Sequence, residues 1–471
     1  MTTPTGPPAN ERTYILEEST QSQPPPQLAT PDTPPKIPPG LAGHEGDEDP
    51  KREKSSISFT SFNYINSIVG SGVIGMPFAL HEAGFGVGLL VLVLVGIITD
   101  ASLCLMLQVA HTAQATTYQD LVNTAFGKPG FLVTSCLQFL YPFISLISYN
   151  VIVGDTMTKV LIRVTGISAQ SVLARREFIV ATSTLLITLP LSLYRNITRL
   201  AKISLASVVM IAIIAVSMLV RLGTMKDMVP TTDDAWNFGG ENLASAIGIM
   251  SFAFMCHHSS FLVYDSLADN TQERWNKVTH ISIGSAAVLS LVFAVAGYLT
   301  FTGYTQGDVF ENYCWDDDLM NLCRGAYAFT ILLTFPIECF VARDVVERAF
   351  FRDYQPQPFF RHAVLSVLIA LFCMFLSLTT DCLGIVLELN GILCAIPLAY
   401  ILPPLCFLRL EEGALWARNK WTACGVITFG VVTMVIGTVS LFTNMSVLSQ
   451  CSHGVEMPYC FKNETQVELN L

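Results

Sequence analysis

Ser61-Phe62-Asn63-Tyr64-Ile65-Asn66-Ser67-Ile68-Val69-Gly70-Ser71-Gly72-Val73-Ile74-Gly75-Met76-Pro77-Phe78 reads as a membrane span interrupted at its centre. Gly70, Ser71, Gly72 and Gly75 weaken the helix, and Pro77 removes a donor just beyond them. A second apolar stretch is interrupted by polar residues rather than by glycine or proline: Ile249-Met250-Ser251-Phe252-Ala253-Phe254-Met255-Cys256-His257-His258-Ser259-Ser260-Phe261-Leu262-Val263-Tyr264. An intact helix hides its backbone groups, whereas a broken one frees N–H and C=O groups at membrane depth. Those are tolerated only where they line a cavity or meet a ligand. Broken helices at matching places in two halves of a chain point to a transport site.

The rest of the sequence fits a lipid bilayer. Of 471 residues, 51% are hydrophobic and 13% charged, against roughly 25% charged in soluble domains. Eleven apolar spans are expected, at about 58–81, 85–110, 130–160, 177–193, 202–223, 243–265, 280–302, 324–342, 362–380, 384–407 and 422–443. The third is long and the fourth is short, ending at Pro190. The fold class is therefore an all-α polytopic membrane protein. No basic helix supports nucleic-acid binding, and no nucleophile–base or metal constellation supports an enzyme. No cleavable signal peptide is expected. Residues 1–56 hold 12 of the 24 prolines and lack an apolar core. They are expected to form a disordered Pro-rich tail, available at most to a protein partner.

Lys and Arg set the orientation. With the N-terminus cytoplasmic, 18 of the 26 fall on inside segments. Eleven spans then put residues 444–471 outside, as a C-terminal tail to the transmembrane domain of residues 57–443. Sequons at Asn444 and Asn463 agree, since glycosylation needs that face; the one at Asn196 falls inside and stays bare. Cys314 and Cys323 in the loop after the seventh span, with Cys451 and Cys460 in the tail, imply two disulfides. Three connectivities are open, and the local pairs Cys314–Cys323 and Cys451–Cys460 are expected first. The other nine cysteines read as packing residues.

Phe62-Asn63-x-x-Asn66-x-Ile68-Val69-Gly70-Ser71-Gly72-x-x-Gly75 resembles the opening helix of the sodium-coupled neutral amino acid transporters, within the amino acid/auxin permease superfamily. Phe252-Ala253-Phe254-x-Cys256-His257 is similar to that family's sixth helix. Residues 138–144, 189–196, 297–303 and 381–391 carry the resemblance along the chain, to about residue 460. It implies a LeuT-like 5+5 inverted repeat with discontinuous helices 1 and 6, plus an eleventh helix. The implied activity is alternating-access uptake of small neutral amino acids coupled to sodium. Related permeases use protons, and an amino acid sensor signalling through the N-tail with little flux is a further reading. The plasma membrane is the expected location; an endolysosomal membrane would keep the tail on an equivalent face.

A zwitterion brings a carboxylate and an ammonium. The N-terminus of the outer half of helix 1 suits the carboxylate, so Gly70, Ser71 and Gly72 are its expected seat. Carbonyls freed between Ser251 and Cys256 would accept from the ammonium, with Phe252, Phe254 and Met255 as the selectivity wall. The resemblance assigns Asn66 to sodium, with carbonyls from Ile65 to Val69 and a hydroxyl from helix 8, either Thr330 or Thr334. No organic cofactor is implied.

Charges inside spans are costly and need partners. Asp155 is expected to pair with Lys159 four residues on. Asp265 and Glu338 are expected to be solvated near inner ends, and Glu388 is a candidate outer gate. Asp100 has no basic partner nearby in sequence. His257 and His258 titrate near physiological pH when unperturbed, though packed neutral histidines are the blander reading.

Overall fold

The computed structural model describes residues 54–194, 204–351, 358–414, 417–443 and 456–461. Residues 1–53 of the N-tail, Asn196, Asn444, Cys451 and Asn463 lie outside them. The described residues are helical, with one isolated bridge between Ser55 and Leu267 as the sole β pairing among them.

Both expected breaks are present. Helix α1 (Ile57–Ile68) ends where the backbone leaves the helical region at Val69 (φ −83°, ψ 75°) and Gly70 (φ −107°, ψ −139°). A 3-10 turn, Ser71–Gly75, then leads into α2 (Met76–Ala83), with Pro77 in its first turn, where a missing N–H costs nothing. Helix α3 (Phe85–Ala113) follows.

The third span, α4 (Tyr118–Thr165), is longer than expected. A first arm precedes a kink at Gly127 (φ 67°, ψ −160°), a conformation glycine reaches without strain. The fourth is α5 (Arg176–Ser183), a π turn at Thr184–Thr188 and α6 (Leu189–Ser192). Pro190 cannot donate to the preceding turn, and the helix widens ahead of it. Helix α7 (Ser204–Thr224) is continuous. The second break follows: α8 (Leu243–Ala253) stops before Phe254, and α9 (His257–Ser266) resumes the same span.

Helices α10 (Gln272–Phe301), α11 (Asp318–Phe350) and α12 (Phe359–Ser377) are continuous. The tenth span runs from α13 (Leu383–Asn390) through π turns at Gly391–Ala395 and Pro397–Ile401 into α14 (Leu402–Leu410). Helix α15 (Trp421–Thr443) closes the bundle. Among the described residues, nine helical stretches are long and apolar enough to cross a membrane. The first and fourth expected spans are present as shorter pieces, divided at Gly70 and ahead of Pro190. Small residues let the helices touch. A Cβ on Gly391 would fall on the Gly248 carbonyl, so α8 and the tenth span meet backbone to backbone.

The expected disulfide pairing is wrong. Cys314 bonds Cys460, tying the α10–α11 loop to the C-terminal segment. Cys323 is a buried free thiol, because it sits on the inward face of α11 rather than on the loop. Cys382, read as a packing residue, is also disulfide-bonded, to a partner outside the described residues. Chain reversal between elements, not sequence proximity, decides which thiols meet. Cys460→Ser should abolish the loop–tail cross-link in non-reducing peptide mapping, and Cys323→Ser should leave it. Recovery of a linked 314–323 peptide would reverse this assignment.

Candidate substrate site at the paired breaks

The breaks are in contact. A Cβ on Gly72 would lie 2.5 Å from the Cα of Ala253. Ser71, Ser251, Phe252, Phe254, Met255 and Cys256 are all buried, so the site is closed to solvent.

Tyrosine hydroxyls from three helices meet the freed carbonyls. Tyr141 on α4 donates toward Phe252 O (3.3 Å) and Met255 O (3.4 Å). Tyr327 on α11 donates to Gly70 O (3.2 Å). Tyr64 on α1 lies 3.5 Å from Cys256 O and 2.7 Å from Ser260 Oγ. A buried carbonyl left unpaired costs about 1–3 kcal/mol, which Tyr141 offsets at Met255 O and Tyr327 at Gly70 O while the site is closed. Phe252 O also accepts from the Met255 N–H, and Cys256 O from the Ser259 N–H and the Ser259 and Ser260 hydroxyls. The N–H groups differ. Among the described residues, no side chain caps the turn beginning at Ser71 or the helix beginning at His257, and a first turn has no intrahelical partners for its N–H groups. Two positive helix ends therefore face the region of the breaks. Ser148 Oγ is 3.4 Å from Ser71 Oγ, adding a hydroxyl beside the first.

The sequence-derived site residues do not all play one part. Ser71 and the carbonyls of Phe252 and Met255 lie within two residues of the Gly72–Ala253 contact. Gly72 packs on Ala253, so its missing side chain serves the helix crossing. Gly70 has space: a Cβ there would first meet Tyr149 Oη at 3.6 Å. Phe254 is buried and points to α3, near Gly96.

Oxygen donors for a hard cation lie beside the breaks. Tyr327, Thr330 and Thr334 share one face of α11 by their spacing, and the Tyr327–Gly70 bond turns the upper part of that face toward the first break. The Thr330 and Thr334 hydroxyls donate within their own helix, to Tyr327 O (2.7 Å) and Thr330 O (2.8 Å), leaving lone pairs for an ion. Asn66 is partly buried and makes no side-chain hydrogen bond among the described residues. Val69 and Thr330 are 4% exposed. Neutral oxygens of this kind suit a hard cation, and no hydrogen bond joins Asn66 to Thr330 or Thr334 among the described residues.

Several charge expectations are corrected. Asp155 pairs with Arg176 (2.7 Å), while Lys159 reaches Glu311 (2.5 Å). Asp100, which has no basic neighbour in sequence, meets His280 Nδ1 on α10 at 2.6 Å. Glu338 is not solvated: its side chain is 13% exposed and faces His258 Nε2 at 3.9 Å. His258 in turn lies 5.1 Å, ring to ring, from Tyr141. His257 turns away to Ser102 (3.2 Å). Glu388 accepts from Ser245 (2.8 Å) near the start of α8. Asp265 is exposed, as expected.

Sequence reasoning missed the three tyrosines that cover the freed carbonyls, Tyr64, Tyr141 and Tyr327. Their signal was a polar-tipped ring inside an apolar span, which needs a hydrogen-bond partner when buried.

Residues 53–443 match the family described as transmembrane amino acid transporter protein. A Danio rerio protein named "Putative sodium-coupled neutral amino acid transporter 11" is 47% identical over 417 residues, covering 88% of this chain and 92% of the relative. The Homo sapiens protein of that name is 46% identical over 382 residues, 81% of this chain and 93% of its own. "Vacuolar amino acid transporter 2" of Saccharomyces cerevisiae is 31% identical over 407 residues, 82% and 83% of the two chains. Among solved structures, "Crystal structure of MhsT in complex with L-phenylalanine" superposes with a TM-score of 0.56 at 15% identity, over 83% of this chain and all of that one. At that identity the likeness concerns the fold, which is LeuT-like.

Proposed function

Because the chain belongs to the transmembrane amino acid transporter family, we propose that it moves small neutral amino acids by sodium-coupled alternating access at the paired breaks. It is a transporter and not an enzyme. The observation that carries the reading is the meeting of uncapped helix ends and freed carbonyls in one closed site. The substrate carboxylate takes the N–H groups that begin at Ser71, with the Ser71 hydroxyl beside them. The ammonium takes the Phe252 and Met255 carbonyls in place of the Tyr141 hydroxyl. Phe252, Phe254 and Met255 bound the side-chain space. Sodium sits among Asn66, the carbonyls of residues 65–69, Thr330 and Thr334, and favours the substrate-ready state. The eleven-helix 5+5 arrangement is part of this proposal.

The face carrying the Cys314–Cys460 disulfide looks outward, since such bonds persist on the oxidising side. The plasma membrane is the proposed location, with the C-terminus outside.

Radiolabelled uptake across an amino acid panel, in sodium or choline, tests the reading. Asn66→Ala should raise the sodium concentration for half-maximal uptake about tenfold, equivalent to roughly 1.4 kcal/mol, at unchanged surface level. Equal loss of uptake and surface protein would make Asn66 a folding residue. The His258–Glu338 pair favours a second reading, proton coupling. Uptake that survives in choline and follows the pH gradient would select it.

A further inference from the structure

The segment between α10 and α11 folds back onto the bundle. Gly307 abuts Gly384, where a Cβ would lie 2.5 Å from the Gly384 nitrogen. Asp308 follows and is 3% exposed. Its Oδ1 accepts from the Phe310 N–H (2.8 Å), while its buried Oδ2 has no hydrogen-bond partner among the described residues. Carboxylate oxygens of Asp155, Asp308 and Glu311 lie within 4.8 Å of one another.

The surrounding cations are already engaged. Arg176 holds Asp155 (2.7 Å) and the carbonyls of Ser377 and Thr380 (3.0 Å each). Lys159 holds Glu311 (2.5 Å). Arg324 on α11 holds the carbonyls of Phe310, Tyr313 and Cys314 and the Asn321 side chain. Tyr327, also on α11, is the remaining titratable neighbour. Burial, reinforced by the Glu311 and Asp155 charges, pushes the Asp308 carboxyl up to about 8.

We propose that this cluster is a proton-binding site, with the proton on Asp308 Oδ2, and that the proton latches the 302–313 segment onto the bundle. Undocking exposes Asp308 to water, where an ordinary carboxyl releases its proton near pH 4. The docked form thus holds a proton that the undocked form gives up to the solvent. Docking weakens as pH rises from about 4 to about 8, then levels off. Between pH 6 and 8 the docking constant falls about fifty-fold. The proton returns to the water it came from, so the inference stands whether sodium or a proton drives transport.

Hydrogen exchange of the purified full-length protein in choline chloride tests it without any transport assay. The protection of a peptide spanning residues 304–313, corrected for intrinsic exchange, should fall by up to about fifty-fold between pH 6 and 8. Asp308→Asn, neutral throughout, should hold its protection constant. Glu311→Gln removes a repelling charge and should move the wild-type midpoint to lower pH. Protection independent of pH in the wild type would overturn the proposal. So would recovery of protection at pH 8 when sodium replaces choline, which would make the cluster a metal-ion site.

Discussion

Gly72→Ala should abolish uptake and destabilise the protein by on the order of 1–3 kcal/mol, the usual cost of overpacking. Its new methyl group would lie 2.5 Å from both Cα and Cβ of Ala253 and 3.1 Å from the Ala253 nitrogen. Backbone cannot swing aside as a flexible side chain can, so the two breaks must separate. Separation pulls the helix end at Ser71 away from the Phe252 and Met255 carbonyls, and the two ends of a zwitterion lose their common seat. Gly70→Ala is the control. Its methyl group meets only Tyr149 Oη at 3.6 Å, an ordinary contact. Uptake per surface-biotinylated molecule should stay within about twofold, because no buried contact is lost. Gly70→Leu reaches further, into Tyr149, and should abolish uptake. If Gly72→Ala transports normally, the helix crossing is not required for the site.

Arg324→Met should cost on the order of 3–5 kcal/mol, the scale for breaking a buried charged network. Arg324 is 0% exposed and makes four hydrogen bonds to the α10–α11 loop and Asn321. Methionine fills much of the volume but leaves the Phe310 and Tyr313 carbonyls without their donor, while Cys314 O keeps the Asp317 N–H. Arg324→Lys keeps the charge and loses the planar fork, so its cost should be intermediate. Thermal unfolding in detergent measures both. A methionine variant that melts with the wild type would show that water replaces the guanidinium.

The first break was legible because glycine, serine and proline at the centre of an apolar run leave few other readings; the second, without glycine or proline, was legible only as polar residues inside an apolar run. Both appear where expected, at residues 69–70 and 254–256. What escaped were contacts between distant elements. Asp100 finds His280, 180 residues away, and Asp155 finds Arg176 rather than its neighbour Lys159. Helical spacing predicts partners on the same helix, and these lie across helices. The Cys314–Cys460 bond escaped for the same reason. The tyrosine hydroxyls escaped because a ring in an apolar span reads as packing until the freed carbonyls around it are known.

Ser55 exchanges backbone hydrogen bonds with Ser266 and Ala268 (2.8 and 2.9 Å), and Ser67 meets Ser259 (3.0 Å). The lower halves of the two interrupted spans are thereby stitched into a single lever. A covalent staple placed between Ser67 and Ser259 should leave turnover intact, while one joining Gly70 to Tyr327 should freeze it.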